Sequence, residues 1–345
     1  MSLMRQEISE QPQVIAQTME REMSAISRLV EDLRDRDVRY VVIAARGTSD
    51  NAAVYAKYMI EIVVGVPVAL AAPSVYTLYN ASPRLSGCLV LGISQSGQAT
   101  DVVQTLSAAR SAGAVTACIT NVGSSPITEV SDHVLLCHAG VEQAVAATKT
   151  YTTALALVAM LAGQWGDHAG VMNGLRGLPE RIQSTLAMDA DIESVVERYR
   201  YMPECAVLAR GLNQATALEA ALKMTETSYL VAKPYSGADF LHGPIAMVSE
   251  GFPCILYAPE GRAFPFMMEL ALKLRERQAE MVIIARDEEI LQLATRPLRV
   301  PTEVDELLSP LLYIVPGQLW ANYLAVARGH NPDRPRGLTK VTLTR

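Results

Sequence analysis

Leu89-Val90-Leu91-Gly92-Ile93-Ser94-Gln95-Ser96-Gly97-Gln98-Ala99-Thr100-Asp101 joins a short apolar strand to a Ser/Gln/Gly turn, and a helical stretch, Val102 to Ala112, follows. The first amides of a helix have no partner within the helix and carry a partial positive charge. Here they point into a turn that also offers the hydroxyls of Ser94, Ser96 and Thr100. The combination predicts a pocket for a small dianion such as a sugar phosphate. The competing reading is an ordinary helix cap, with Ser96 or Thr100 satisfying first-turn amides.

The pattern around this junction occurs twice. Val41-Val42-Ile43-Ala44-Ala45-Arg46-Gly47 resembles Ala206-Val207-Leu208-Ala209-Arg210-Gly211. Each copy is followed by a helical run (Ala52 to Val63; Ala215 to Tyr229), an apolar strand (Cys88 to Ile93; Pro253 to Tyr257), and a further strand (Val115 to Ile119; Met281 to Ala285). Strands alternating with helices predict parallel sheets covered on both faces. The expected fold is therefore α/β: two doubly wound, flavodoxin-like domains with helices on both faces. The expected boundaries are a helical segment at 1–36, a first domain at 37–165, a helical linker at 166–200, a second domain at 201–330 and a tail at 331–345. Ligands of such sheets bind beyond the carboxyl ends of the strands, where Arg46-Gly47-Thr48-Ser49 and Ser94 to Gly97 both fall. The second copy has Ala258-Pro259-Glu260-Gly261-Arg262 at the position of the Ser-rich turn. It lacks the hydroxyls, and Glu260 would repel phosphate, so only the first domain is expected to hold the anion.

Composition narrows the function classes. At 345 residues, half of them hydrophobic, the chain can build two cores. Its net charge of −6 argues against nucleic acid as a partner and requires a bound phosphate to be held by local donors. Cys88, Cys118, Cys137, Cys205 and Cys254 form no CxxC, and several lie in strand-like runs, which predicts buried free thiols in a reducing compartment. Met1 to Gln6 leads into no apolar stretch, and Ala154 to Ala162 is too short to span a bilayer. The expectation is a cytoplasmic protein with no membrane partner.

Glu219, Lys223 and Glu226 project from one face of the second-copy helix. They read either as a solvated stripe with a surface pair or, given the apolar neighbours Ala217, Leu218, Ala220, Ala221 and Leu222, as a shielded acid/base group with Glu226 as the base. His242 reads as a structural hydrogen-bonder or as an imidazole suited to opening a sugar hemiacetal. His133, His138, His168 and His330 show no ligand spacing, so neither a metal nor another cofactor is expected. Lys340 lies in a Pro-containing tail. The loop Ala146-Ala147-Thr148-Lys149-Thr150, after Glu142, either closes over a ligand or caps the helix Tyr151 to Ala162.

These stretches resemble a known family over nearly the whole chain. ARGTSDNA at Ala45, SQSGQATD at Ser94, AGVEQAVAATKTYT at Ala139, ALEAALKMTETSY at Ala217, FLHGP at Phe240, SPLLYIVPGQLWANYLAVARG at Ser309 and NPDRPRGLTKVT at Asn331 resemble the double sugar-isomerase (SIS) domain proteins. They are similar to the isomerase half of glucosamine-6-phosphate synthase and, more closely, to the stand-alone SIS-type glucosamine-6-phosphate deaminases. The resemblance implies that Thr48, Ser49, Ser94, Gln95, Ser96 and Thr100 hold a 6-phosphate, with Gly47, Val145 and Thr339 lining the substrate. It implies that Glu226 moves a proton between C1 and C2, and that Glu219 and Lys223 orient the sugar and the base. His242 would open the ring from the partner subunit of a homodimer, and Lys340 would reach in from the tail. Arg46 replaces a small residue or cysteine of the synthase, and Ala147 replaces a serine.

The synthase carries an N-terminal glutaminase domain with a cysteine nucleophile. The start MSLMRQEISEQP leaves no room for it, which points to isomerisation with loss of ammonia. The expected reaction converts glucosamine 6-phosphate to fructose 6-phosphate and ammonia. The alternatives are a deglycase or isomerase for another phosphosugar, such as a fructosamine or galactosamine 6-phosphate, and a non-catalytic sugar-phosphate sensor.

Overall fold

A computed structural model of the chain describes residues 1–81 and 83–340, so Ser82 and residues 341–345 of the expected tail lie outside the described residues. Among the described residues ten strands form two five-stranded sheets, and every pairing is parallel. The first sheet contains β1 (Tyr40–Ala44), β2 (Val68–Leu70), β3 (Cys88–Ile93), β4 (Val115–Thr120) and β5 (His133–Leu136), in the order β2-β1-β3-β4-β5. The second contains β6 (Glu204–Ala209), β7 (Val231–Ser236), β8 (Pro253–Ala258), β9 (Glu280–Ala285) and β10 (Arg296–Arg299), in the order β10-β9-β8-β6-β7. Read from its other edge, the second order repeats the first, so the sequence repeat is also a repeat of topology. Both are doubly wound sheets with a switch point between their first and third strands.

The inner strands are continuous apolar runs because both faces of a parallel sheet are covered. All six residues of β3 and all six of β4 are buried. Gly92 sits in β3 because a Cβ there would come 2.2 Å from Leu106 of the helix Thr100–Ser111, which packs directly on the strand. All five cysteines are free and buried, as the scattered pattern predicts. Among the described residues, no helix is long and apolar enough to cross a membrane.

Contacts divide the chain into two compact units. The amino-terminal unit comprises Gln13–Glu142, Lys149–Arg176, Thr339 and Lys340. The carboxy-terminal unit comprises Met1–Pro12, Gln143–Thr148 and Gly177–Leu338. In the first, the helix Gln11–Asp35 covers the β5 edge: Asp32 meets His133 at 2.9 Å and Glu22 meets His138 at 2.7 Å. In the second, the helix Ser309–Ala327 is apolar on all sides and is accordingly buried. It packs against the helix Gln214–Ser228 at Gly317, where a Cβ would fall 3.1 Å from Ala220 and 2.5 Å from the Tyr257 hydroxyl.

Candidate active-site elements

In the amino-terminal unit the sequence places two turns at the β1/β3 switch point. β1 runs through Arg46 and Gly47 into the helix Thr48–Met59, and β3 runs through Ser94–Gln98 into the helix Thr100–Ser111. Gly47 adopts φ 56° and ψ −128°, a conformation open to glycine. Gly97 has φ 66°, and a Cβ there would lie 2.1 Å from Ser125 Oγ, so this turn also requires glycine. Backbone bonds fix the Ser-rich turn on three sides: Ser94 N–H to Ile119 O (3.0 Å), Asn121 N–H to Gln95 O (3.0 Å) and Ile127 N–H to Gly97 O (3.1 Å).

The simple-cap reading fails here. The N-cap of the helix Thr48–Met59 is Gly47 and that of the helix Thr100–Ser111 is Ala99, and neither has a side-chain cap. Ser96 Oγ accepts from Gln98 N–H (3.3 Å) within the turn and caps nothing. Among the described residues, the hydroxyls of Ser49, Ser94 and Thr100 make no hydrogen bond. Both helix starts lack a side-chain N-cap, and although Asp101 Oδ1 accepts from Val102 N–H (2.9 Å), the first amides of the helix Thr100–Ser111 and the surrounding hydroxyls can solvate an incoming anion.

The second sheet provides an internal control. At its corresponding turn the chain supplies its own anion: Glu306 accepts from Arg262 N–H (2.7 Å) and Ala263 N–H (3.1 Å), just before the helix Phe264–Glu276. A Cβ on Gly261 would lie 2.4 Å from the Glu306 carboxyl carbon, so that space is filled. The expectation that Glu260 closes the second turn to phosphate therefore needs correcting. Glu260 instead pairs with Arg286 through two bonds (2.9 and 3.0 Å), and Glu306 occupies the turn.

The carboxy-terminal unit carries the candidate acid/base group, Glu219, Lys223 and Glu226. The surface-stripe reading is overturned: the side chains of Glu219 and Lys223 are 0% and 1% exposed, whereas that of Glu226 is 24% exposed. The burial arises because the helix Gln214–Ser228 lies between its sheet and the helix Ser309–Ala327, to which Thr227 Oγ1 donates at Ala321 O (3.2 Å). Lys223 Nζ lies 2.7 Å from Glu226 Oε2 and 3.4 Å from Glu219 Oε1. Burial alone would discharge Lys223, but Glu219 and then Glu226 outweigh it and raise its pKa above the ordinary lysine value. The result is a buried ammonium beside a carboxylate that is 24% exposed.

His242 ends the short helix Gly237–Leu241 with an exposed ring. Val145 is tied to the tail through its N–H to Asp333 O (3.1 Å). The tail meets the end of the acid/base helix at Tyr229, whose hydroxyl accepts from Arg336 N–H (2.8 Å). The Tyr229 ring also packs on His330 (4.7 Å) and on the Arg336 guanidinium (4.2 Å). In the amino-terminal unit, Lys340 Nζ bonds the fully buried Glu142 Oε2 at 2.8 Å. Glu142 also accepts from Thr150 N–H (3.1 Å) and Thr150 Oγ1 (2.7 Å). In the sequence Glu142 stands only as the residue ahead of the loop Ala146–Thr150. Its signal was a lone acid in a run of small apolar residues. Among the described residues, no group of three His, Cys, Asp or Glu is placed to hold a metal.

A family model for the SIS domain matches residues 6–163 and 204–328. The chain belongs to the SIS domain family. A glutamine–fructose-6-phosphate aminotransferase (isomerizing) of Pyrococcus horikoshii is 35% identical to this SIS protein over 342 residues, covering 98% of the chain and 57% of the relative. The chain thus spans a little over half the length of that relative. Among solved structures, a Silicibacter pomeroyi protein provisionally assigned as a phosphosugar isomerase superposes with a TM-score of 0.86 at 35% identity, covering 96% of this chain and 100% of that one. The C-terminal domain of a glucosamine-fructose-6-phosphate aminotransferase from Francisella tularensis superposes with a TM-score of 0.85 at 26% identity, covering 96% and 98%.

Proposed function

We propose that this SIS protein catalyses the isomerising deamination of an aminosugar 6-phosphate, converting glucosamine 6-phosphate and water to fructose 6-phosphate and ammonia. The observation that carries the reading is the Glu219–Lys223–Glu226 group, in which only Glu226 combines solvent access with a fixed cationic partner. That is what a base working on carbon needs: a set position and an open face. The uncapped Ser/Thr turns support a phosphorylated substrate, and the named relatives support C1–C2 isomerisation of a hexose 6-phosphate bearing nitrogen.

In this mechanism the turns at Gly47–Ser49 and Ser94–Thr100 anchor the phosphate. The exposed His242, supplied by the partner subunit of a homodimer, moves the proton that opens the ring. Glu226 takes the C2 proton of the open-chain aldehyde to give an enolamine and returns it to C1. The product is a C2 imine. Water adds to C2 and ammonia leaves, giving the ketone. Lys340, held by Glu142, serves the carbonyl end, and Val145 and Thr339 are assigned to the substrate's lining. Microscopic reversibility makes the same groups competent for the amination that the aminotransferase relatives are named for.

The test is an ammonia assay with glucosamine, galactosamine and mannosamine 6-phosphates and an N-substituted fructosamine 6-phosphate. Ammonia and fructose 6-phosphate from glucosamine 6-phosphate are expected. Release of a free amine from the fructosamine alone, or thermal stabilisation by ligands without turnover of any, would overturn the reading.

A further inference from the structure

Arg46 Nε lies 2.6 Å from Asp101 Oδ2. This bond joins the two turns across the β1/β3 switch point, because Arg46 precedes Gly47 and Asp101 lies in the first turn of the helix Thr100–Ser111. Asp101 is 1% exposed, and its other oxygen accepts from Val102 N–H (2.9 Å). Arg46 is half exposed, and among the described residues its terminal nitrogens make no further hydrogen bond. No lysine and no other arginine occurs in Gly47–Ser49 or Ser94–Asp101, and the whole chain is net negative.

We infer that Arg46 is a phosphate ligand and specificity determinant: pinned through Nε by Asp101, its guanidinium donates its outer N–H groups to the substrate's phosphate. The inference rests on the reading that these turns hold a sugar phosphate, and it adds the cation that the hydroxyls lack. Three features support a ligand-facing role over a purely structural one. Asp101 is already satisfied by one guanidinium nitrogen and one amide. The two remaining nitrogens form the planar fork that suits phosphate oxygens. In the second unit, where the chain's own Glu306 fills the equivalent turn, the corresponding Arg210 is turned away, donating to Ser236 Oγ (3.1 Å) and packing on Phe266 (5.3 Å). Among the described residues, Arg46 thus keeps its two outer nitrogens unbonded beside Asp101 at the first turn, whereas Arg210 is engaged by Ser236 and Phe266 at the turn that Glu306 fills.

The experiment measures calorimetric binding of fructose 6-phosphate and of fructose to the intact wild-type protein and to Arg46→Met and Arg46→Lys, at two salt concentrations, with the melting temperature of each. Arg46→Met is expected to weaken fructose 6-phosphate binding about 10-fold or more, as loss of a charged hydrogen bond does. It should flatten the salt dependence and leave fructose binding unchanged, with Arg46→Lys intermediate. Unchanged phosphosugar affinity in Arg46→Met with only a lowered melting temperature would make Arg46 a structural clamp and overturn the inference. If Arg46→Met does not fold, full wild-type affinity and salt slope in Arg46→Lys would overturn it. No fructose 6-phosphate binding by the wild type would remove the underlying functional reading as well.

Discussion

Lys223 is a buried ammonium shared by two carboxylates: Glu226 at 2.7 Å and Glu219 at 3.4 Å, all on one face of the helix Gln214–Ser228. Taking the Glu219 and Lys223 charges out of water is costly, and the arrangement persists because the ammonium is offset by Glu219 and by the partly exposed Glu226. Glu226→Gln preserves the contact with Lys223 while removing the base. It should abolish ammonia release and leave fructose 6-phosphate binding intact; undiminished turnover would refute the role. Lys223→Met leaves Glu219 buried without its cation and should destabilise the protein by about 3–5 kcal/mol in urea titrations.

The Thr100–Ser111 helix lacks a side-chain cap at Ala99. An aspartate there supplies both the missing acceptor and a negative charge. Ala99→Asp should stabilise the ligand-free protein by about 1 kcal/mol. It should also strip phosphosugar binding, because the same amides cannot serve both anions. A variant that gained stability and kept its affinity would show that the phosphate does not use this helix start.

Glu306 plays the anion's part in the second unit. Glu306→Ala frees two amides at the start of the helix Phe264–Glu276 and should cost about 1–3 kcal/mol. Added inorganic phosphate should recover part of the melting temperature of this variant beyond its effect on the wild type. Equal response of the two proteins would remove the analogy between the two turns.

Buried proton-binding groups make the fold labile to base. Burial pushes the Cys118 thiol up to about 11 and the Cys137 and Cys254 thiols up to about 12, from an ordinary value of 9.0. Lys223 is raised as well: burial works against its charge, and its two carboxylates overcome that. In each case the folded state holds its proton more tightly than the unfolded chain. The folded state therefore binds more protons, and stability must fall as pH rises above the unfolded thiol value. Melting temperatures should decline steadily between pH 9 and 11, and the slope should be shallower in Cys118→Ala.

The six inner strands were legible because each is an apolar run buried on both faces. The sequence singled out none of the four sheet-edge strands. Val68–Leu70 is only three residues, His133–Leu136 is half buried, and Val231–Ser236 and Arg296–Arg299 each contain a proline that only an edge position tolerates. Among the site residues, local spacing revealed the Glu219–Lys223–Glu226 face and the Ser-rich turn. Burial removes the solvated-stripe reading of the first, and the second shows no side-chain cap at Ala99. Partnerships between distant residues had no local signature: Arg46 with Asp101, Glu142 with Lys340, and Glu306 with the turn at Gly261.

The proposed proton transfer at C1 by Glu226 can be watched without waiting for net turnover. Fructose 6-phosphate and an ammonium salt are incubated with the protein in D2O, and the C1 hydrogens are followed by NMR. The wild type should exchange one of the two C1 hydrogens for deuterium and Glu226→Gln neither; exchange in that variant at the wild-type rate would contradict the mechanism at its centre.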